Sequence, residues 1–363
     1  MNSYKEDILQ VLGHDLPLQK LSGANILVTG ATGLIGSCLV EVLMMNPNRD
    51  YHVYASGRNE GRARSRFKEF ADDAAFHFVK YDVMQPLQSD VRFDYIIHAA
   101  SNASPNFFAK SPVEVIKSNI DGVAHLMDYG LGHGMKRFLY VSSGEVYGEG
   151  DGRVFTEDYS GYVDCAKPRS CYPSSKRAAE TLCVSYAAEY GADVVIARPC
   201  HTYGPHFTEQ DNRVYAQFIR NVLRGEDIVM KSTGEQFRSW CYVVDCVSAL
   251  LHILLKGTNG EAYNIADAES NISIRELAET IAAIGGRKVV IDIPDADEKR
   301  GYNPVTKSVF STEKLESLGW RPENHISVGL EHTIREMINI YCYERNNIKR
   351  ASGNEFGVVV RCS

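Results

Sequence analysis

Tyr172 and Lys176 lie four residues apart in the segment YPSSK, and they are the pair of side chains in this sequence best suited to acid–base chemistry. Residues at this spacing share one face of a helix. A nearby ammonium group stabilises a phenolate, so Lys176 is predicted to lower the pKa of Tyr172 from its ordinary value of about 10. Tyr172 is then predicted to act as a base toward a hydroxyl group, with Ser143 hydrogen-bonded to the same oxygen.

A second motif, TGATGLIG at residues 29–36, follows the strand-like run NILV and precedes the helix-like run SCLVEVLM. In such a loop the first glycine turns the chain, the second admits a pyrophosphate, and the third lets helix pack on strand. The start of the helix then offers unpaired N–H groups to the diphosphate. This loop predicts a dinucleotide site with contacts from Gly30, Gly33, Leu34, Ile35 and Gly36.

The residues after the second and third predicted strands bear on the choice of nucleotide. An acid that would bind the 2′-hydroxyl of the adenosine ribose is expected near residue 56, but the chain reads Ser56, Gly57, Arg58. Arg58 suits either stacking on adenine or contact with a 2′-phosphate, so both NAD and NADP stay open. Asp82, directly after the third strand, is predicted to accept a hydrogen bond from the adenine amine.

These motifs need a parallel sheet to position them, and the pattern of the chain predicts one. Helix-like stretches alternate with β-branched runs, which occur at residues 25–29, 52–55, 76–80, 95–98, 137–142 and 193–198. We predict an α/β fold with a Rossmann-type, doubly wound parallel sheet over residues 21–200 and a return segment at about 240–268. Residues 1–20 read as a helical extension, 201–340 as a smaller substrate lobe with a last helix at 327–339, and 341–363 as a tail.

Composition excludes several other classes of protein. The 363 residues carry a formal net charge of −7, which disfavours nucleic acid as a partner. The apolar stretch 246–255 is far shorter than the ~20 residues that span a bilayer, so no membrane partner is expected. The polar, acidic start MNSYKEDILQ predicts a cytoplasmic protein without a secretory signal. The nine cysteines form no CxxC pair, and no metal site is expected.

Four motifs in this order, TGATGLIG, VSSGEVYG, YPSSK and RPCHTYGP, resemble the extended short-chain dehydrogenase/reductase family over about residues 22–340. That family comprises NAD-dependent nucleotide-sugar epimerases, dehydratases and decarboxylases. The resemblance implies a Rossmann domain with a smaller α/β C-terminal lobe, bound NAD, a nucleotide-diphosphate sugar as substrate, and a homodimer through the helices at 112–131 and 174–190. The further cofactor contacts it implies are Val83, Ala99, Ala100, Ser101, Pro199, Tyr172 and Lys176.

Glu145 favours one branch of the family. The 4,6-dehydratases carry an Asp-Glu pair here, whereas this chain has Gly144 and Glu145. The UDP-glucuronate decarboxylases likewise keep the Glu without the neighbouring Asp. The segments PRSCYPSSKRAAETL and ASNASPNFF agree with that branch. Decarboxylation is therefore the leading interpretation, with Glu145 or a water it holds protonating C5. A 4-epimerase comes next and a 4,6-dehydratase third, while a non-catalytic dinucleotide sensor is the alternative of another class.

The resemblance also predicts which residues bind the substrate. Arg213 and Arg238 are expected on the nucleotide diphosphate, because a planar guanidinium binds such oxygens bidentately. Arg300 is expected on a sugar carboxylate, with Lys299 and Lys307 as competitors for that role, and Ser104 is a further predicted contact. His201 stands where the family has an asparagine, which brings a titratable ring to the substrate. Met230 and Lys231 replace the usual aromatic residue, which leaves the identity of the substrate's nucleobase open.

Overall fold

A seven-stranded parallel sheet forms the centre of the protein, in a computed structural model that describes residues 3–208, 211–293 and 307–352. The strands of these residues are β1 (Asn25–Thr29), β2 (His52–Gly57), β3 (Phe76–Lys80), β4 (Tyr95–His98), β5 (Arg137–Val141), β6 (Val194–Pro199), β7 (His201–Tyr203), β8 (Ile228–Met230), β9 (Phe237–Tyr242), β10 (Ala262–Ile265), β11 (Asp267–Ser273), β12 (Val289–Ile291) and β13 (Lys307–Ser308).

The helices of the same residues connect these strands. They are α1 (Ser3–Leu12), α2 (Leu34–Met45), α3 (Glu60–Arg66), α4 (Pro105–Lys110), α5 (Pro112–Gly132), α6 (Cys171–Tyr190), α7 (Val214–Leu223), α8 (Val243–Lys256), α9 (Ile274–Ile284), α10 (Glu313–Glu316) and α11 (Ile326–Ser352). None of these helices is both long and apolar enough to cross a bilayer.

The sheet has the order β10-β6-β5-β4-β1-β2-β3 and every pairing in it is parallel. Alternate residues of a strand face opposite sides: Ile26 and Val28 join one hydrophobic cluster with α2 and α8, and Leu27 joins another with α5 and α6. Because both faces are covered, the central strands are continuous apolar runs. The strand order reverses between β1 and β4, which opens a crevice at their carboxyl ends. The predicted Rossmann-type fold is confirmed.

The C-terminal half contains strands that the sequence analysis did not predict. There, β7, β11 and β13 pair with β9, and β8 pairs with β12, beside the helices α7 and α9. Four of these strands, β7, β8, β12 and β13, hold only two or three residues, so they carry little periodicity. In the segment 240–268, α8 leads back to β10, which pairs with β6. The last helix continues past residue 339 to Ser352, and residues 353–363 lie outside the described part.

The N-terminal helix α1 packs against the rest of the fold. Tyr4, Ile8 and Val11 are buried, and the Tyr4 hydroxyl donates a 2.6 Å hydrogen bond to Glu41 on α2. Asp7 accepts a hydrogen bond from the Tyr242 hydroxyl at 3.0 Å, and its carboxylate lies 2.9 Å from the ring of His332 on α11. Helix α1 therefore connects the first helix of the Rossmann sheet to α11, the last helix of the described residues.

Asp245, in the first turn of α8, fixes the loop that leads into α11. Its two carboxylate oxygens accept the main-chain N–H groups of Glu323 at 3.1 Å and Asn324 at 3.0 Å. The residue is 1% exposed, and this burial raises the pKa of its carboxyl group to about 7. The two hydrogen bonds lower the pKa, but by less than burial raises it.

The raised pKa predicts a pH-dependent contribution to stability. The folded protein retains a proton on Asp245 that the unfolded chain releases near pH 4, so this residue's contribution is complete below pH 4 and is lost as the pH rises to about 7. Over that pH range the free energy of unfolding of the wild-type protein should fall by up to about 4 kcal/mol relative to that of Asp245→Asn. Urea unfolding of both proteins at pH 5 and pH 8 measures this; a difference between them that is independent of pH contradicts the assignment.

Candidate active site

The glycine loop brings two main-chain segments into direct contact at the crevice. Gly30 follows β1 with a φ of +67°, and a Cβ atom there would lie 2.7 Å from the main chain of Ala100, which follows β4. A Cβ atom at Gly36 would lie 2.3 Å from the carbonyl oxygen of Gly30. Both positions therefore require glycine, and α2 starts directly against the turn.

A cavity of about 230 Å³ opens beside this loop. Eight of the predicted cofactor residues line it: Gly30, Gly33, Arg58, Asp82, Val83, Ala99, Ala100 and Ser101. Leu34, Ile35 and Gly36 lie behind it in the first turn of α2, and Pro199 ends β6 outside its lining. An oxygen of Asp82 accepts the N–H of Met84 at 3.1 Å, so this side chain also closes a turn. The lining includes Ser56, Arg62, Asn102 and Glu114 as well, which the sequence analysis did not assign.

The cavity has the features that a dinucleotide needs. The approach of Gly30 to Ala100 leaves main chain, rather than side chains, facing the space after β1. The hydroxyl of Ser56, a residue 1% exposed, has no hydrogen-bond partner among the described residues and lines the same space. A buried polar atom without a partner is suited to a ligand group. The residues present therefore fit NAD.

A hydrogen-bonded chain fixes Tyr172 at the neighbouring part of the crevice. Its hydroxyl contacts the hydroxyls of Ser143 and Ser101. Ser101 donates to Asn119 at 2.8 Å, the Asn119 amide donates to Ser175 at 2.9 Å, and Ser175 donates to the Tyr172 carbonyl at 3.1 Å. The predicted proximity of Tyr172 and Ser143 is thus present, and Asn119, 1% exposed, is a positioning residue that the sequence analysis did not assign.

Lys176 lies one helical turn after Tyr172, on the inner side of α6. Its ammonium donates to the carbonyl of Val141 at 2.9 Å and stands 4.7 Å from the ring centre of Tyr140. It lies 5.8 Å from the ring centre of Tyr172. Burial lowers the pKa of Lys176 to about 7, because the side chain is almost entirely removed from water.

The expected lowering of the Tyr172 pKa is wrong for the protein alone. Burial, followed by the negative charge of Glu145, raises the pKa of Tyr172 to about 12. Hydrogen bonds with Ser143 and Ser101 and the charge of Arg213 oppose this rise. The sequence analysis considered the cation at i+4 but not the desolvation of both partners, which disfavours the phenolate and the ammonium alike.

Glu145 is held beside Tyr172 by a residue that the sequence analysis did not assign. One nitrogen of Arg169 lies 2.8 Å and 2.9 Å from the two oxygens of the Glu145 carboxylate. The guanidinium stands 4.6 Å from the ring centre of Phe108, and that ring stacks on Tyr172 at 4.7 Å. In the segment PRSCY, Arg169 precedes Tyr172 by three residues, and this spacing could have indicated that the two side chains lie close together.

Gly144 has no room for a side chain. A Cβ atom at this position would lie 2.2 Å from Cζ and 2.5 Å from Cε1 of the Phe310 ring, a residue only 3% exposed. Phe310 is fixed in turn by the rings of Tyr147 and Phe155. The absence of an acid next to Glu145 is therefore built into the packing of the site.

Three of the predicted substrate residues, His201, Arg213 and Arg238, lie in the part of the chain that follows β6. Arg213, which influences the pKa of Tyr172, is paired with Asp211. Arg238 is 5% exposed and lies in the field of Glu145. Partial removal from water, then the charges of Arg238 and Arg213, lowers the pKa of His201 to about 3, which keeps the ring neutral, although the residue retains exposed surface. Ser104 donates to Asn212 at 3.2 Å. Arg300 lies outside the described residues.

The parallel sheet, the glycine loop and the Ser143, Tyr172 and Lys176 arrangement define a Rossmann-type dinucleotide enzyme of the short-chain dehydrogenase/reductase class. Residues 26–266 match the NAD dependent epimerase/dehydratase family, and this chain belongs to it. The predicted resemblance and the NAD cofactor are thereby confirmed at the level of the family.

Curated relatives and solved structures agree with this assignment. The chain is 36% identical over 312 residues to UDP-glucuronic acid decarboxylase 6 of Arabidopsis thaliana, covering 85% of this chain and 87% of that protein. It is 32% identical to UDP-glucuronic acid decarboxylase 1 of Danio rerio, covering 89% and 74%. UDP-glucose 4-epimerase of Thermotoga maritima, solved with UDP-glucose, superimposes with a TM-score of 0.74 at 26% identity, covering 88% and 99%. The dTDP-glucose 4,6-dehydratase of Streptomyces venezuelae, solved with NAD, gives 0.76 at 25%, covering 89% and 98%.

The contact between the glycine loop and the chain after β4 predicts a large effect of one methyl group. Gly30→Ala should lower the free energy of unfolding by about 3 kcal/mol or more, because the left-handed φ costs ~1–2 kcal/mol and the clash with Ala100 adds to it. Gly23→Ala is the matched control, since its φ of +66° is similar and nothing lies within 4 Å of the added atom. Equal losses in urea titrations of the two variants would exclude the proposed contact.

Proposed function

We propose that the protein converts a UDP-linked uronic acid to the corresponding pentose by decarboxylation, as the names of its relatives suggest. The observation that carries this proposal is Glu145 beside Tyr172 with no acid at position 144. A Glu without the neighbouring Asp is the pattern that separates the decarboxylase branch from the 4,6-dehydratases. The collision of any side chain at 144 with Phe310 supports the same choice.

In this proposal Tyr172 accepts the proton of the sugar 4-hydroxyl while Ser143 orients that oxygen. Bound NAD would supply the hydride acceptor at C4 and later return the hydride. The resulting 4-keto acid loses CO₂ readily, because its developing enolate needs only electrostatic stabilisation, for which the hydroxyl of Ser143 is available. Glu145, or a water bound to it, protonates C5.

The raised pKa of Tyr172 gives the phenolate a small population at neutral pH, and this supports activity that increases with pH. In this proposal Arg213 and Arg238 bind the diphosphate of the nucleotide sugar, because a guanidinium forms charge-assisted hydrogen bonds with such oxygens. The cytoplasmic location inferred from the N-terminal residues stays a prediction.

Substitution at Tyr172 tests the chemistry. Tyr172→Phe should lower turnover of UDP-glucuronate about 100-fold or more, because the general base is removed while the ring and its stacking on Phe108 remain. Tyr162→Phe, at an exposed tyrosine outside the proposed dimer interface, is the control. The measurement is product mass: loss of CO₂ indicates decarboxylation, loss of water indicates dehydration, and an unchanged mass with a new retention time indicates epimerisation.

Three outcomes of that assay are informative. Turnover by Tyr172→Phe equal to the parent would eliminate the proposed base and leave the non-catalytic alternative. Conversion of UDP-glucose to its 4-epimer, with no reaction of UDP-glucuronate, would assign the epimerase alternative. Loss of water from a 6-hydroxy sugar would assign the dehydratase alternative.

We also propose that the protein is a homodimer that buries the outer faces of α5 and α6. Val113, Ile116, Val184 and Tyr190 on these helices are exposed apolar side chains. Ile116→Glu combined with Val184→Asp should convert a dimer to a monomer in sedimentation equilibrium, because charges would be buried without partners. Val328→Asp, at an exposed position of α11, is the control. A wild-type protein that sediments as a monomer refutes this assembly.

A further inference from the structure

Among the described residues, Lys176 is a buried cation without an ion-pair partner. The side chain is 1% exposed, and its ammonium donates a hydrogen bond to the carbonyl of Val141 at 2.9 Å. Glu180, one turn further along α6, is bound instead by the guanidinium of Arg198 at 2.7 Å. An ammonium that is removed from water with so little compensation loses its proton more easily than one in water.

The ring of Tyr140 compensates this charge. Tyr140 lies on β5 and is 1% exposed, and its ring centre is 4.7 Å from the nitrogen of Lys176. The negative face of an aromatic ring attracts a cation, and the attraction is strongest where both groups are removed from water. Both side chains are buried, so this contact belongs to the strong kind.

The register of the strands connects Tyr140 to the dinucleotide cavity. His98 on β4 is paired with Tyr140, and Thr29 on β1 is paired with His98. The Thr29 hydroxyl lies 2.7 Å from Nδ1 of His98, and the rings of His98 and Tyr140 are 5.8 Å apart. Thr29 lines the cavity. The Tyr140 ring is therefore held between His98 on one strand and Lys176 on α6.

Several titratable side chains of the described residues face Lys176. They are His98 from β4, Tyr140 from β5, and Tyr172, Glu180 and Cys183 from α6 itself. Burial and then the charge of Lys176 lower the pKa of His98 to about 3, so this ring is neutral. Burial lowers the pKa of Lys176 to about 7, although the two acidic groups of α6 oppose that shift. The charge of Lys176 is therefore sensitive to its contact with the ring.

We propose that Tyr140 is a positioning residue of the reaction, whose ring holds the Lys176 ammonium in the charged form that Tyr172 needs as a base. The hydroxyl of Tyr140 has no hydrogen-bond partner among the described residues, so the face of the ring, rather than the hydroxyl, carries the effect. This inference rests on the role of Tyr172 in the proposed function, and it adds a residue that the sequence analysis did not assign.

The effect has a characteristic dependence on pH, because Tyr172 and Lys176 titrate as a pair. The productive form has an ionised Tyr172 and a charged Lys176, and a competing form with the same number of protons is neutral at both residues. A weaker hold on the ammonium lowers the pKa of Lys176 and favours the neutral form. Activity then reaches its plateau at a lower pH and at a lower value. At acid pH, where Lys176 is charged in either case, activity is unchanged.

Replacement of Tyr140 by phenylalanine and by 3,4,5-trifluorophenylalanine tests the ring in the full chain with bound NAD. The two rings have nearly the same shape, but fluorine withdraws the electron density that attracts the cation. Tyr140→Phe should keep the parent's profile of kcat/KM for UDP-glucuronate against pH. The trifluoro ring should lower the plateau about tenfold and move its onset about one pH unit lower, since one pKa unit is a factor of ten. Tyr140→Met, which fills the space without a ring, should act in the same direction.

Phe138 provides the matched control. It is fully buried in the same hydrophobic cluster as Tyr140, two residues earlier on β5, and among the described residues no cation lies over its ring. The trifluoro ring at position 138 should leave both the plateau and its pH unchanged.

A second measurement needs no turnover. The pKa of Lys176 is obtained by NMR from the carbon-13 signal of selectively labelled lysine, and Lys176→Met identifies that signal by its absence. The pKa should be about one unit lower with trifluorophenylalanine at position 140 than with phenylalanine.

The inference and the proposed function fail in distinguishable ways. Equal pKa values of Lys176 with the two rings at position 140 refute the role of Tyr140. A loss of activity by the same factor at every pH indicates a purely structural effect and refutes it as well. A shifted pKa of Lys176 in a protein that does not convert UDP-glucuronate leaves the hold of Tyr140 on Lys176 intact and refutes the proposed reaction.

Discussion

The approach of two main-chain segments at the reversal of strand order is the constraint on which the rest of the structure depends. Gly30, after β1, lies against the main chain of Ala100, after β4, and no side chain fits between them. That contact sets where α2 begins, how the cavity opens and where Ser101 stands. Ser101 in turn begins the hydrogen-bonded chain through Asn119 and Ser175 to Tyr172. Nucleotide site and reaction centre therefore share one piece of backbone geometry.

Removal of water shifts the pKa values of Tyr172, the proposed base, and its neighbour Lys176 in opposite directions. Burial raises the pKa of Tyr172 and lowers that of Lys176, so both are held nearer to their neutral forms than in water. A positive group entering this space would stabilise the phenolate strongly, because it would act through a medium of low dielectric constant. The site is thus sensitive to the charge of whatever occupies the crevice. Arg213 and Glu145 already act on Tyr172 in opposite directions.

The Rossmann sheet and much of the site could be predicted from the sequence because both depend on local signals. The glycine loop, the strand periodicity and the Tyr172 to Lys176 spacing each occupy one short segment. The lobe strands could not be predicted, since β7, β9 and β11 are defined by pairing across distant segments. Desolvation could not be predicted either, because it depends on how distant segments assemble into the crevice. The spacing of Tyr172 and Lys176 alone therefore predicted the wrong direction for the pKa of Tyr172.

The packing of Phe310 against Gly144 has an evolutionary consequence. A chain of this kind acquires an acid next to Glu145 only if the aromatic ring is lost or moved first, and Tyr147 and Phe155 hold that ring on its other sides. Gain of a second carboxylate therefore needs coordinated changes rather than one codon, and each single intermediate is less stable than its parent. In this chain a second carboxylate beside Glu145 therefore lowers stability unless the ring of Phe310 moves or is replaced.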